Sequence, residues 1–124
     1  MIQIQTKLNI IDNTEGKKAQ CIKVYSGKTA NIGDTILISI KKNQPQLKSK
    51  IKIKKGEIFK GIVIQTKYKK KKKLFNEYLN FDINSVILVS SQKKPLGTRI
   101  LGPVSNQLRK VKQIKLLSLA SAII

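Results

Sequence analysis

The sequence predicts a mainly β fold, a small five-stranded β-barrel followed by short C-terminal helices. Three observations carry that prediction. Isoleucine dominates the apolar content with twenty copies in 124 residues, and β-branched side chains fit a half-buried pleated surface better than a helix. Apolar and polar residues alternate with period two in several short runs. Turn signals recur between those runs at regular intervals, and closing so few strands into a barrel removes their exposed edges. With 40% apolar residues and three prolines, the chain has enough material for one core and too little for two ordinary domains. A barrel over about 1–92 and a C-terminal loop with short helices over about 93–124 are expected as one domain.

Residues 7–12 and 19–25 read as two strands joined by Asn13-Thr14-Glu15-Gly16-Lys17, a turn-rich segment whose glycine is free to take positive φ. Ile32-Gly33-Asp34 introduces a strand over 35–41, where Ile36, Ile38 and Ile40 alternate with more polar neighbours. Residues 43–50 are polar around Pro45. Lys50-Ile51-Lys52-Ile53-Lys54 alternates again, sending three lysines to one side and two isoleucines to the other, before Lys55-Gly56-Glu57 turns the chain into a strand over 58–66. A continuous apolar run, Val86-Ile87-Leu88-Val89, marks a buried strand over 85–90. Phe59 and Phe81 are core candidates. Residues 94–103, punctuated by glycine and proline, read as an extended, turn-rich loop. Ser105 is an N-cap candidate for one or two helical turns over 105–110, and 113–120 reads as a second helix packing Ile114, Leu116, Leu117 and Leu119 on the barrel.

Charge is zoned along this framework. Residues 41–73 hold fourteen of the twenty-four lysines against one acid, Glu57, which is +13 of the formal net charge of +20. Residues 93–115 add seven cations and no acid. Two strongly cationic zones on one compact domain repel unless a polyanion neutralises them, so a phosphate backbone is the first partner to consider. Lys50, Lys52 and Lys54 on a strand would space ammonium groups about 6–7 Å apart, close to the repeat of backbone phosphates; the competing reading is a solvated strand face. Lys67, Lys69, Lys70, Lys71, Lys72 and Lys73 form a cationic loop expected to order against an anion, or else a floppy loop swollen by A-rich codons. Lys17, Lys18, Lys41, Lys42, Lys48, Lys55 and Lys110 complete the lysine candidates for RNA contact. Lysine outnumbers arginine twenty-four to two. Arg99 and Arg109 are therefore either planar guanidinium forks kept for phosphate or chance survivors of A/T-rich codon usage.

Other classes find little support. The chain has no histidine and one cysteine, Cys21, inside an apolar alternating run that suits a core thiol. Asp12, Glu15, Asp34 and Asp82 lie on separate segments, a poor start for a metal-dependent nuclease, so neither enzyme activity nor a cofactor is expected. The longest apolar stretches fall short of the ~20 residues of a membrane span, and no long amphipathic helix offers a surface anchor, so no membrane partner is expected. MIQIQTKLNI lacks the pattern of a secretory or transit peptide, which predicts a protein used where it is made. A freestanding barrel binding single-stranded RNA nonspecifically is the main rival reading. Tyr68, Phe75 and Tyr78 beside the lysine run could stack bases in such a protein.

The order of short motifs is more specific than any of them alone. MIQIQTKLNIIDN, CIKV at 21–24, IGD at 32–34, KKGEIFKGIVIQTK at 54–67, FDINSVILV, PLGTRILGPV with Leu108-Arg109, and KLLSLA run from end to end. In this the chain resembles the ribosomal protein L fourteen family of the large subunit. The resemblance implies a five-stranded barrel with a projecting β-ribbon and short C-terminal helices, and a structural role. It implies binding of large-subunit rRNA, packing beside large-subunit protein nineteen, an intersubunit bridge to small-subunit rRNA, and a ribosome-silencing factor as a further candidate partner. Departures are visible. The family's Asp-Asn-Ser-Gly-Ala appears here as Asp12-Asn13-Thr14-Glu15-Gly16, its Arg-Glu-Leu-Arg as Asn106-Gln107-Leu108-Arg109, and its acidic-proline ending as Ser121-Ala122-Ile123-Ile124. An Asp-Gly turn expected after the basic loop is replaced near Phe75-Asn76-Glu77. Such drift, with the codon bias, points to a mitochondrial ribosome, with a plastid or an A/T-rich bacterial cytoplasm as alternatives.

Overall fold

The computed structural model describes residues 1–44, 52–68, 70–71 (backbone), 78–109, 111 and 114–124. Among these the elements run β1 Lys7–Ile10, β2 Gly16–Val24, β3 Thr35–Asn43, β4 Ile58–Gln65, β5 Lys70–Lys71, β6 Tyr78–Leu79, β7 Ser85–Val89, β8 Ile100–Val104, a 3-10 turn Asn106–Arg109, α1 Ile114–Leu119 and β9 Ala120–Ile123. Strands β1, β2, β3, β4 and β7 close in that order into the expected five-stranded barrel. Neighbours are antiparallel except at the closure, where β1 and β7 run parallel through Asn9↔Ser85 and Ile10↔Val86.

Alternation decides what fills the barrel. Ile36, Ile38 and Ile40 of β3 meet Leu8, Ile10, Ala19, Cys21, Val63, Val86 and Leu88 in one buried cluster, with Phe59 packed partly against it. Along β4 and β7 the intervening residues Ile62, Ile64, Ile87 and Val89 face the other way and join a second cluster with Ile100, Val104, Leu108, Leu116 and Leu117, against which Phe81 packs. The C-terminal segment therefore covers the outer surface of β4 and β7. Both faces are dry along β7 and over residues 61–65 of β4, which is why residues 86–89 read as an unbroken apolar run, and each such buried apolar side chain contributes about 1.5–3 kcal/mol. Buried Gln65 secures the same seam, accepting from Ser85 Oγ at 3.1 Å and donating from Nε2 to Pro103 O at 2.7 Å.

Several expectations are corrected. Gly16 does not supply a positive φ; it opens β2 and packs against Ile10, whose Cδ1 would lie 2.8 Å from an added Cβ. Lys52, Ile53 and Lys54 lie outside any strand, although Ile53 is buried and both lysines are exposed, as the alternation required. Residues 100–104, read as loop, form β8 and pair in parallel with β9, whose residues were read as helix and tail. Ser105 caps the 3-10 turn by accepting from Gln107 N–H at 3.2 Å. Leu116 and Leu117 are buried as expected, but Ile114 is 67% exposed and does not pack on the barrel. The lysine run is not wholly loop: the backbones of Lys70 and Lys71 pair with Leu79 and Tyr78 in an antiparallel ribbon. The Phe75-Asn76-Glu77 turn lies outside the described residues.

Candidate nucleic-acid interface

Among the described residues, the densest cationic surface grows from a fault in the β2–β3 ladder. Register passes from Gly16↔Asn43 to Lys18↔Lys42 and then to Ala19↔Ile40. Lys17 is thus an extra residue in β2 and Lys41 an extra residue in β3, two bulges whose offsets cancel. Lys17, Lys18, Lys41 and Lys42 are all exposed. Lys18 and Lys42 face each other directly, and like charges opposed across a ladder destabilise it unless an anion lies between them.

The chain then returns to the same barrel end. Buried Ile53 donates its N–H to Glu15 Oε2 at 3.1 Å and accepts Asn43 Nδ2–H on its carbonyl at 2.8 Å, while Gln44 N–H donates to Glu15 O at 2.8 Å. Gly56, at φ +89°, lets the turn double back so that its N–H reaches Ile40 O at 2.8 Å. Exposed Lys52, Lys54 and Lys55 are held beside the four bulge lysines. Two carboxylates sit at the root of this surface, both almost fully buried. Glu15 holds Ile53, and Asp12 accepts from Thr14 N–H and Oγ1–H and from Leu88 N–H. Burial raises the Asp12 carboxyl above the ordinary 3.8, with the hydrogen bonds opposing that shift.

Arg99 joins this end through its backbone. Asn13 Oδ1 accepts from Thr98 N–H at 2.8 Å and Arg99 N–H at 3.3 Å, and Asn13 Nδ2 donates to Thr98 Oγ1 at 2.7 Å. Gly97 makes room for that contact, since a Cβ there would lie 2.7 Å from Asn13 Oδ1. The Arg99 side chain is left exposed on a braced backbone. Arg109, on the 3-10 turn, instead lines a cavity with Ile114, Leu117, Ser118 and Ile123.

The second lysine zone leaves from elsewhere. β4 runs away from the Lys54–Lys55 turn for eight residues, about 23 Å at strand rise. Lys67 follows its far end, donating its N–H to Asn84 Oδ1 at 2.9 Å, and leads into the β5–β6 ribbon, with Tyr68 before β5 and Tyr78 within β6, both exposed. Lys54–Lys55 and Lys67, close in sequence, thus leave the barrel at opposite ends. Lys48, Lys50, Lys69, Lys72, Lys73 and Lys110 lie outside the described residues, and only the backbones of Lys70 and Lys71 are placed.

Sequence reasoning singled out Arg99 but missed what holds it. Asn13 was read only as turn chemistry, and its length from the Gly97-Thr98-Arg99 loop gave no local signal. It also missed a third cationic feature on the outer barrel wall. There the Tyr25 ring lies 5.5 Å from Lys23 Nζ and 5.9 Å from Lys60 Nζ, because the register Lys23↔Leu37↔Lys60 sets those lysines on one face. Compared with known families, the chain matches the model for ribosomal protein L14p/L23e over residues 1–124.

Proposed function

The chain belongs to the ribosomal protein L14p/L23e family, and from that membership we propose that it binds large-subunit rRNA and bridges to small-subunit rRNA, one barrel end to each. The family is one of structural ribosomal constituents, not enzymes. The bridging reading rests on one observation: Lys17, Lys18, Lys41, Lys42, Lys52, Lys54, Lys55 and Arg99 gather at one end, while Lys67 and the β5–β6 ribbon leave the other. A barrel with cationic ends suits a place between two anionic surfaces. Phosphate contact by lysines supplies affinity, and the braced Arg99 fixes register. Large-subunit protein nineteen, and a silencing factor where one exists, fit the C-terminal face, where Leu101, Ile114, Ile123 and Ile124 are exposed beside Arg109 and Lys115. A preference for lysine of twenty-four to two, as A/T-rich codon usage gives, favours a mitochondrial ribosome.

Sedimentation of tagged protein from fractionated native lysate, at moderate and high salt, tests the assembly. Salt-resistant migration with the large subunit is expected, and slow, salt-sensitive migration with mixed RNAs would overturn it. Photo-crosslinkers at positions 54 and 67 in intact ribosomes then test the geometry. The two should capture rRNA from different subunits, and capture of one rRNA by both removes the bridging claim.

A further inference from the structure

Only six acids stand against twenty-six cations, yet Glu15 is 5% exposed and lies at the root of the most cationic end. Burying a carboxylate is costly unless its oxygens receive hydrogen bonds. One of the bonds it receives comes from Ile53, on the far side of the basic segment. Its carboxylate takes the Ile53 N–H and its own carbonyl takes the Gln44 N–H, so one residue grips the chain where the arm departs and where it returns. Asn43 Nδ2 closes the same neck on the Ile53 carbonyl, and the Ile53 side chain, 1% exposed, plugs into the barrel core.

We propose that Glu15 is a positioning residue, a buried clamp that fixes the Ile53 backbone and so aligns Lys52 and Lys54 with the bulge lysines on one phosphate track. The inference rests on the RNA-binding reading for its consequence and on the neck geometry for its mechanism. Without the clamp, Ile53 keeps its apolar anchor and its Asn43 bond, but its backbone N–H loses its acceptor, and Lys52 and Lys54 lose one of the contacts that orient them. The clamp also has a sign of its own. Removing an acid from a cationic surface raises the positive charge, which by simple attraction tightens RNA binding. Loss of a positioning residue weakens it.

The test compares Glu15→Ala, Glu15→Gln and wild type in affinity for purified large-subunit rRNA, together with amide hydrogen exchange at Ile53 and Gln44 and the thermal midpoint. Glu15→Ala should speed exchange of the Ile53 amide about tenfold or more, the order expected for loss of a hydrogen bond to a charged group. It should also weaken rRNA binding several-fold despite the extra positive charge. Glu15→Gln keeps an acceptor oxygen and removes the charge, so it should restore slow exchange and most of the affinity. Tighter binding by both variants, or wild-type exchange at Ile53 in Glu15→Ala, overturns the clamp. If wild-type protein fails to bind rRNA, the functional reading falls by itself, because exchange at Ile53 still reports on the neck. Should Glu15→Ala fail to fold, slow Ile53 exchange and sustained affinity in Glu15→Gln support the clamp, while fast exchange in that folded variant refutes it.

Discussion

Replacing Lys17, Lys18, Lys41 and Lys42 together by glutamine should change RNA binding and stability in opposite directions. Each lysine that neutralises a phosphate contributes about 0.7–0.9 to the slope of log affinity against log salt, so four contacts are worth about 3 units. Between 50 and 200 mM salt, 3 units is a factor of about 60, and wild-type affinity should fall about that much more steeply than the variant's. The free protein should gain instead, since the Lys18↔Lys42 pair sets like charges face to face; relief of one such pair is worth about 0.2–1 kcal/mol. Fluorescence anisotropy with labelled large-subunit rRNA fragments over a salt series measures the first effect and thermal melting the second. A control removes the same charge elsewhere, at Lys7, Lys23, Lys28 and Lys115, all of them exposed. If both quadruple variants lose the same slope, binding reads net charge and the double bulge has no special role.

Other expectations follow from the same surface. Arg99→Lys should reduce incorporation into reconstituted large subunits more than Lys52→Gln does, because an ammonium cannot reproduce the planar fork; equal or reversed losses would show that Arg99 acts as one cation among many. Asn13→Ala removes three hydrogen bonds to Thr98 and Arg99, and Gly97→Ala pushes a methyl group to within 2.7 Å of the same Asn13 oxygen. Both should resemble an Arg99 variant in the incorporation assay while leaving barrel amides protected, with loss of barrel protection arguing against a local effect. Asp12 gives a pH signature. Its folded carboxyl titrates above the ordinary 3.8, so between those values the folded state holds a proton that the unfolded state has released. Stability should therefore fall as pH rises through that window and level off above it, and Asp12→Asn should abolish this component. A stability difference between wild type and Asp12→Asn that does not vary with pH there contradicts the assignment.

How much was legible depended on the range of the interaction. The alternation at Ile36, Ile38 and Ile40 is written in neighbouring residues, and β3 followed from it. The same pattern placed Ile53 inside and Lys52 and Lys54 outside even though no strand forms there, since burial and not ladder pairing sets the alternation. The parallel β8–β9 pair was hidden because Gly102 and Pro103 read as breakers, and because its partner lies beyond the 3-10 turn and α1. Gly16 shows a subtler failure: it reads as a turn glycine, but it opens a strand and packs against the Ile10 side chain of β1. At the site, charge type was plain and charge position was not. Lysines 54 and 67 look adjacent in a list, and only the course of β4 between them shows that they leave the barrel from opposite ends.

The closure of the barrel also sets a timetable for its maker. β1 is the first strand to emerge during synthesis, yet its outer edge is completed by β7, and Asp12 finds its Leu88 partner 76 residues downstream. Contacts of such long sequence separation form slowly. Until residue 89 has emerged, the growing chain carries most of its lysines on an open, unsealed sheet, and until Leu117 has followed, the outer faces of β4 and β7 stay wet. A nascent polycation with an exposed apolar seam is prone to stick to any nearby polyanion or unfolded chain. The steps that end this vulnerable interval come from the last third of the sequence, so truncations there should be seen first as aggregation and only then as lost assembly.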